Sequence, residues 1–385
     1  MLDKALKGSP TYWGWIIFLL VVIGAGFGTY LYQFQEGLKI TGMSRDVSWG
    51  LYIGQLTYFV GVAASGVMVV LPYYLHDYKA FGRITILGEF LAIASIIMCG
   101  LFVMVDLGYV SRMLNIIIYA NPTSILFYDM IVLNVYMLLN LVIGWNVLSA
   151  EKKGMSYPKW VKVLIYISIP WAFSIHTVTA FLYAGLPGRH YWLTAIMAAR
   201  FLSSAFCSGP AILLLLCFIV RRVTRFDPGR EQMRTLSSIV AYAMILNVFF
   251  FLLELFTAFY SQIPEHMEPI VYLFFGLQGH AKLVPWMWTA ACFAVLALLL
   301  LIVPASRRNE NTLILACLSV VISTWIDKGL GLIIGGFIPD PFDKVFEYWP
   351  TLPEVVITIG IWATGIFVIT VLYKITVSVK EEVAA

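Results

Sequence analysis

Only one of the five histidines, His176 in the string Ser174-Ile-His-Thr177, stands inside an apolar run long enough to cross a bilayer. The other four, His76, His190, His266 and His280, fall in or beside the more polar stretches between such runs. A haem held between membrane helices takes axial ligands that are normally histidines, so a single intramembrane histidine excludes a bis-histidine haem within this chain. A lone imidazole in apolar surroundings is suited to another task, binding and moving a proton. Asp129 lies early in the preceding apolar run. An ionised side chain at such depth costs at least ~2.5–3.5 kcal/mol on insertion scales, so both residues are expected to face a bundle interior and to carry a role.

Further ionisable and aromatic residues gather near the same end of the runs. Arg45-Asp-Val-Ser-Trp-Gly50 opens the second run, and Val105-Asp-Leu-Gly108, followed by Arg112, closes the third. Asp46, Trp49, Asp106, Arg112, Asp129 and His176 thus form a candidate cluster of acid, base, aromatic wall and ion pair. A quinone requires that equipment: hydrogen-bond partners for two carbonyls, groups that exchange two protons, and an apolar pocket. Plainer roles stay open, with Asp106 and Arg112 as an interfacial ion pair and Trp49 as an interface aromatic. Glu89, near the other end of the third run, is placed either to feed protons towards His176 or to snorkel to the interface. Arg200, Glu254, Asp327 and Lys328 make a second polar set and a candidate proton or ion path. Arg200 and Glu254 match in depth and are expected to pair. Asp327 and Lys328 point about 100° apart on a helix and need other partners.

The elements that must position these residues are membrane helices. The 385 residues are 61% hydrophobic and 12% charged, against roughly 25% charged in soluble domains. Ten runs reach the length needed for a roughly 30 Å core: 12–32, 48–75, 84–109, 124–148, 161–185, 192–220, 235–262, 282–304, 312–338 and 353–375. The expected fold is all-α, one integral membrane domain of ten transmembrane helices. Gly61-Val-Ala-Ala-Ser-Gly66 in span two and Ser203-Ser-Ala-Phe-Cys-Ser-Gly209 in span six echo each other. They suggest two four-helix bundles, spans two to five (48–185, with the quinone site) and spans six to nine (192–338), flanked by spans one and ten. Pro170 and Pro210 are expected to kink spans five and six beside cavities. The five cysteines all sit in apolar runs without CxxC spacing, as small hydrophobes and not cluster ligands.

Loop charge sets orientation. Of the 25 Lys and Arg residues, seventeen fall on the side of both termini, six on the other and two, Arg200 and Lys328, within spans. By the positive-inside rule both termini are cytoplasmic, in the cell membrane, and the net charge of +4 reflects topology and no nucleic-acid partner. Span one is expected to be retained, since it is too long for a signal peptide and has no small-residue cleavage site. With short loops and no soluble catalytic domain, the chain is expected to be an enzyme only as a subunit.

Several strings resemble the NrfD/PsrC-type quinone-interacting membrane subunits: Thr41-Gly-Met-Ser-Arg-Asp-Val-Ser-Trp-Gly-Leu-Tyr-Ile53, Val105-Asp-Leu-Gly108 with Arg112, Ser124-Ile-Leu-Phe-Tyr-Asp129, and Ser174-Ile-His-Thr177 with Pro187-Gly-Arg-His-Tyr-Trp192. Leu71-Pro-Tyr-Tyr-Leu-His-Asp77 and Tyr166-Ile-Ser-Ile-Pro-Trp-Ala172 look most like the DsrP (HmeB) branch, found in menaquinol oxidoreductase complexes. The resemblance implies a haem-free subunit that exchanges electrons between menaquinone and a ferredoxin-like iron–sulfur subunit on the outer face. It also implies a haem b membrane subunit, a heterodisulfide-reductase-like iron–sulfur subunit and a multihaem cytochrome c as partners, linked to sulfur metabolism. In related complexes a histidine of the fifth span and an acid of the fourth lie near the quinol pocket, and His176 and Asp129 match them. An aspartate often found a few residues after that histidine has no counterpart in Thr177-Val-Thr-Ala-Phe-Leu-Tyr183. A secondary transporter or ion-translocating subunit is the competing reading, since charges in both units and a repeat also suit a midmembrane substrate site.

Overall fold

A long apolar run in a bilayer must satisfy its own backbone groups, and the helix does so within one segment. The computed structural model describes residues 1–76 and 78–384, the side chains of Lys79 and Ala384 excepted; Asp77, the last residue of the Leu71 string, lies outside them. Among the described residues ten helices are long and apolar enough to cross a membrane, and no strand occurs. Spans one to five are Pro10–Glu36, the broken pair Leu51–Val62 and Ser65–Leu75, Thr85–Asp106, Ile125–Lys152 and Lys159–Ala184. Spans six to ten are Met197–Val223, Arg230–Ser261, Val284–Ile302, Glu310–Gly335 and Leu352–Ala384. Span ten runs well past its expected end at 375 because its last turns are held by polar contacts: Lys380 Nζ lies 2.8 Å from Glu151, and Lys4 pairs with Glu382. The latter contact also joins the two ends of the chain. The end of the bundle that carries both termini is called proximal below, and the opposite end distal.

Spans two, three, six and nine form the interior, and spans one, seven and eight turn most of their surface outward. Neighbours in sequence pack together from span two to span seven, and span eight packs on span nine. Span six lies against both two and nine, while span one pairs with span ten, which packs on span three.

The two small-residue strings pack on each other. A Cβ on Gly209 would sit 2.9 Å from the Ser65 nitrogen and 3.0 Å from the Val62 oxygen, so only a glycine lets the two backbones approach this closely. Span two tightens at this contact: Ala64 N–H donates to the Gly61 oxygen three residues back (3.1 Å), and the helix divides between Val62 and Ser65. This break was not among the positions expected from sequence; Pro170 and Pro210 lie within continuous helices. Span nine departs from α geometry as well, winding as a π-helix over Trp325–Gly331. Gly329 there meets Gly54 of span two, where a Cβ on Gly54 would fall 2.0 Å from the Gly329 oxygen.

Candidate functional site

Span five presents His176, Thr179 and Tyr183 on one face, at spacings of three and four residues. All three are fully buried. The Thr179 hydroxyl lies 2.5 Å from Asp129 Oδ1 of span four and 2.8 Å from the Ile175 carbonyl. A threonine hydroxyl has one proton. Either it is donated to an Asp129 carboxylate, or it goes to Ile175 and a protonated Asp129 donates to Thr179. The contact therefore has two settings that differ by one proton on Asp129. One turn deeper, neither ring nitrogen of His176 has a hydrogen-bond partner among the described residues; its ring meets the edge of Phe206, with centroids 6.4 Å apart.

Tyr183 repeats the arrangement towards the distal end. Its hydroxyl lies 2.5 Å from Thr57 of span two, whose own proton is directed to the Ile53 carbonyl at 2.7 Å. Asp129 is within electrostatic reach of both Tyr183 and Cys99 of span three, so spans two to five converge here. Trp49 closes the distal side. It stacks on Trp192 at 5.7 Å and meets the edges of Tyr183 and Phe337, while Trp192 Nε1 donates to the Leu332 carbonyl at 2.8 Å. The loop bearing Trp49 is fixed by Glu354, which accepts from Gly42 N–H (2.7 Å), Thr351 N–H (2.8 Å) and Tyr348 hydroxyl (2.6 Å); that hydroxyl in turn accepts from Leu51 N–H (2.9 Å). Gly50 must lack a side chain because its Cβ would lie 2.4 Å from the Tyr348 ring.

Asp46 stays at the distal rim, half-buried, within electrostatic reach of Arg189. Asp106, at the end of span three, has one carboxylate oxygen buried without a partner among the described residues and is in electrostatic reach of Glu354, Tyr52 and Tyr183. The expected ion pair with Arg112 is not formed among the described residues. Span three ends at Asp106, and a short turn, Val110–Arg112, carries the arginine outward, where it lies exposed over the Tyr109 ring at 5.1 Å. Glu89 is buried in the proximal half with Oε2 unpartnered, against span four at Gly144, so it does not snorkel to the surface.

The second polar set joins spans six, seven and nine. Arg200 pairs with Glu254 and lies 3.8 Å from Asp327. Lys328, also buried, has no acid within ion-pair distance among the described residues; its ammonium sits 3.5 Å from the Phe201 carbonyl and 4.1 Å from the Phe201 ring centroid. Asp327 and Lys328 thus find partners on the same helix, span six. Lys328 is also within electrostatic reach of His176.

Thr179, Tyr183, Thr57 and Trp192 were not among the residues expected from sequence. The available signal was the spacing of Thr179 and Tyr183 from His176, three and seven residues on, which puts all three on one helix face. On the outer surface of spans four and five an apolar groove of about 600 Å³ runs past Pro170, Trp171, Ser174 and Val132, one turn from Asp129.

A family model described as polysulphide reductase, NrfD, matches residues 39–338. A Halobacterium salinarum protein named for a membrane component of dimethyl sulfoxide reductase is 25% identical over 92% of this chain and 89% of its own length. The Hdr-like menaquinol oxidoreductase integral membrane subunit of Archaeoglobus fulgidus is 26% identical over 70% of this chain and 66% of its own. The menaquinone reductase integral membrane subunit of Nitratidesulfovibrio vulgaris is 22% identical over 94% and 90%.

Proposed function

The chain belongs to the NrfD (polysulphide reductase) family, and on that footing we propose that it is the quinone-interacting membrane subunit of an oxidoreductase complex, exchanging electrons between menaquinone and an iron–sulfur partner. The observation that carries the site is the Asp129–Thr179–Ile175 hydrogen-bond chain beside His176. A buried imidazole with both nitrogens free of protein partners suits a ligand oxygen, and Asp129, with its two proton settings, suits the uptake or release of a proton next to it. Trp49, Trp192 and Tyr183 supply a rigid aromatic wall that keeps water out. The groove past Trp171 and Val132 gives an isoprenoid chain an apolar route to the bilayer. When bound, a quinol supplies two electrons and two protons. His176 holds the head group by hydrogen bond and accepts one proton, Asp129 takes the other as the two electrons pass to the iron–sulfur partner, and Thr179 reorients its hydroxyl as Asp129 changes charge.

The reading keeps 48–185 as the unit that holds the site and 192–338 as a second four-helix unit, with Glu89, Arg200, Glu254, Asp327 and Lys328 as a proton path. The ferredoxin-like iron–sulfur partner is assigned to the distal, outer face. A heterodisulfide-reductase-like subunit is suggested by the name of the Hdr-like menaquinol oxidoreductase relative; a haem b subunit, a multihaem cytochrome c and a sulfur-linked pathway are proposed on the sequence resemblance alone. The decisive experiment is a structure of the purified complex with menaquinone added. Head-group density within hydrogen-bond reach of His176 or Asp129 is expected, and density confined to spans six to nine would refute the site. Purification as a functional lone protein, without iron–sulfur or haem subunits, would favour the transporter reading.

A further inference from the structure

We propose that an arginine-lined concavity at the proximal end of spans six, seven and nine is a binding site for the phosphate of an anionic phospholipid. Three separate stretches of chain converge on it: Arg221 at the end of span six, Arg230 and Arg234 at the start of span seven, and Arg307 and Arg308 in the link between spans eight and nine. The concavity measures about 130 Å³, the room of several waters at ~30 Å³ each, enough for one tetrahedral oxyanion.

Basic loops on this side are expected from topology alone, but topology asks only for positive charge, not for its convergence on one hollow. Here five guanidinium groups line the same hollow and one carboxylate, Glu310, answers them, by pairing with Arg221. Arg307 is steered by donating to the Leu301 carbonyl at 2.7 Å, and Arg221 lies over the Phe218 ring at 5.4 Å, so two of the five are held in place before any ligand arrives. Arg230, Arg234 and Arg308 are exposed and are not in the ion pairs formed among the described residues. Like charges gathered this way repel, and an anion seated between them removes the repulsion. Guanidinium forks match the paired oxygens of a phosphate.

The lining selects a lipid over a free ion. Phe218, Met233 and Leu313 give the hollow an apolar floor, and it lies at the end of three membrane helices, at the depth where head group gives way to acyl chain. A basic pocket between helices at this level is the arrangement that takes anionic head groups. Exposed Arg222 and Arg225, in the same loop, do not line it, which provides an internal control.

The test uses the intact complex in nanodiscs of phosphatidylcholine with and without phosphatidylglycerol, reading retained lipid by native mass spectrometry and Tm by thermal melt. Phosphatidylglycerol is expected to co-purify and to raise Tm over phosphatidylcholine alone. The R234Q/R308Q variant should bind it about tenfold to thirtyfold more weakly, from ~1 kcal/mol per basic residue near the surface, while R222Q/R225Q should change binding less than threefold. The R234K/R308K variant, which keeps the charge but loses the guanidinium fork, should recover only part of the binding, at an intermediate level that separates loss of the site from loss of fold. Equal protection by inorganic phosphate would make this a free-anion site and overturn the lipid assignment, and so would equal loss in R222Q/R225Q and R234Q/R308Q.

Discussion

Asp129 and His176 act, on our reading, as a pair spaced by Thr179, and each of the three has its own expected outcome. His176→Ala and Asp129→Asn should lower quinol-dependent electron transfer by about 10²-fold or more with the complex still assembled, since a positioned acid–base group contributes 10²–10⁴-fold to such steps. Loss of complex yield with normal turnover per surviving complex would instead make them packing residues. Glu254→Gln, at the Arg200 pair, is the control and should perturb the quinone reaction less. Thr179→Ser keeps the hydroxyl and should stay near wild type, whereas Thr179→Val removes it and should approach Asp129→Asn in turnover; equal rates for the two Thr179 variants would remove the hydroxyl from the mechanism. His176 and Asp129 were legible in the sequence because ionisable residues are scarce in apolar runs. Thr179 and Tyr183 were not, because threonines in membrane helices routinely bond their own i−4 carbonyl, as Thr57 and Thr177 also do. Only its spacing from His176, three residues on along the same helix face, sets Thr179 apart.

At the scale of elements, the close approaches of span two govern how well the site is held. Gly209→Leu drives a side chain into the Ser65 and Val62 backbone and should reduce the yield of folded protein several-fold, while Gly188, with open space around its Cβ position, should accept alanine without loss; comparing detergent-extracted yields checks both. Two distal loops are tied by Glu347, which accepts from Lys282 N–H (2.8 Å), His280 Nδ1 (3.2 Å) and the Tyr272 hydroxyl (3.2 Å). Burial pushes this carboxyl up, but the Lys282 amide, His280 and the Lys282 ammonium more than offset it and hold it below its ordinary 4.5. A depressed folded value means that the tie is fully present above the ordinary value and is lost as pH falls through the folded one. Amide protection at 277–283, the exchange rate relative to the intrinsic rate at each pH, should therefore fall below about pH 4.5 in the wild type, and Glu347→Gln should flatten that dependence; an unchanged profile in the variant would remove Glu347 as its source. Helix existence was legible from run length and apolarity. The break in span two and the π-helical turn of span nine were not, because both arise where one helix backbone meets another, a contact between positions far apart in the chain.

For the molecule as a whole, the sorting of charge between the two ends implies an orientation. Ten spans bring both termini to one end, and the Lys4–Glu382 pair joins them there. Seventeen of the 25 basic residues share that end against six at the other, and because the connecting loops are short, their lysines and arginines are the ones that count for retention on the cytoplasmic side. On the proposed orientation, Asp129, at the fifth residue of a span that begins distally, and the Trp49–Trp192 stack would lie in the outer half, where the proposed iron–sulfur partner could reach them, and Glu89 would lie on the cytoplasmic side as the proposed proton entry. The pairing of Arg200 with Glu254 was expected from their matching depths and is formed, while the approach of Asp327 to the same arginine needed the fold, since it comes from a third helix. A green fluorescent protein fused after Ala385 should fluoresce and an alkaline phosphatase fused there should be inactive, with the reverse result for the same reporters inserted at Gly279 in the distal loop. Active phosphatase at the C-terminus would invert the molecule, put Glu89 on the outer side, and move the quinone site to the half of the bilayer facing the cytoplasm, where an outer-face electron acceptor cannot reach it.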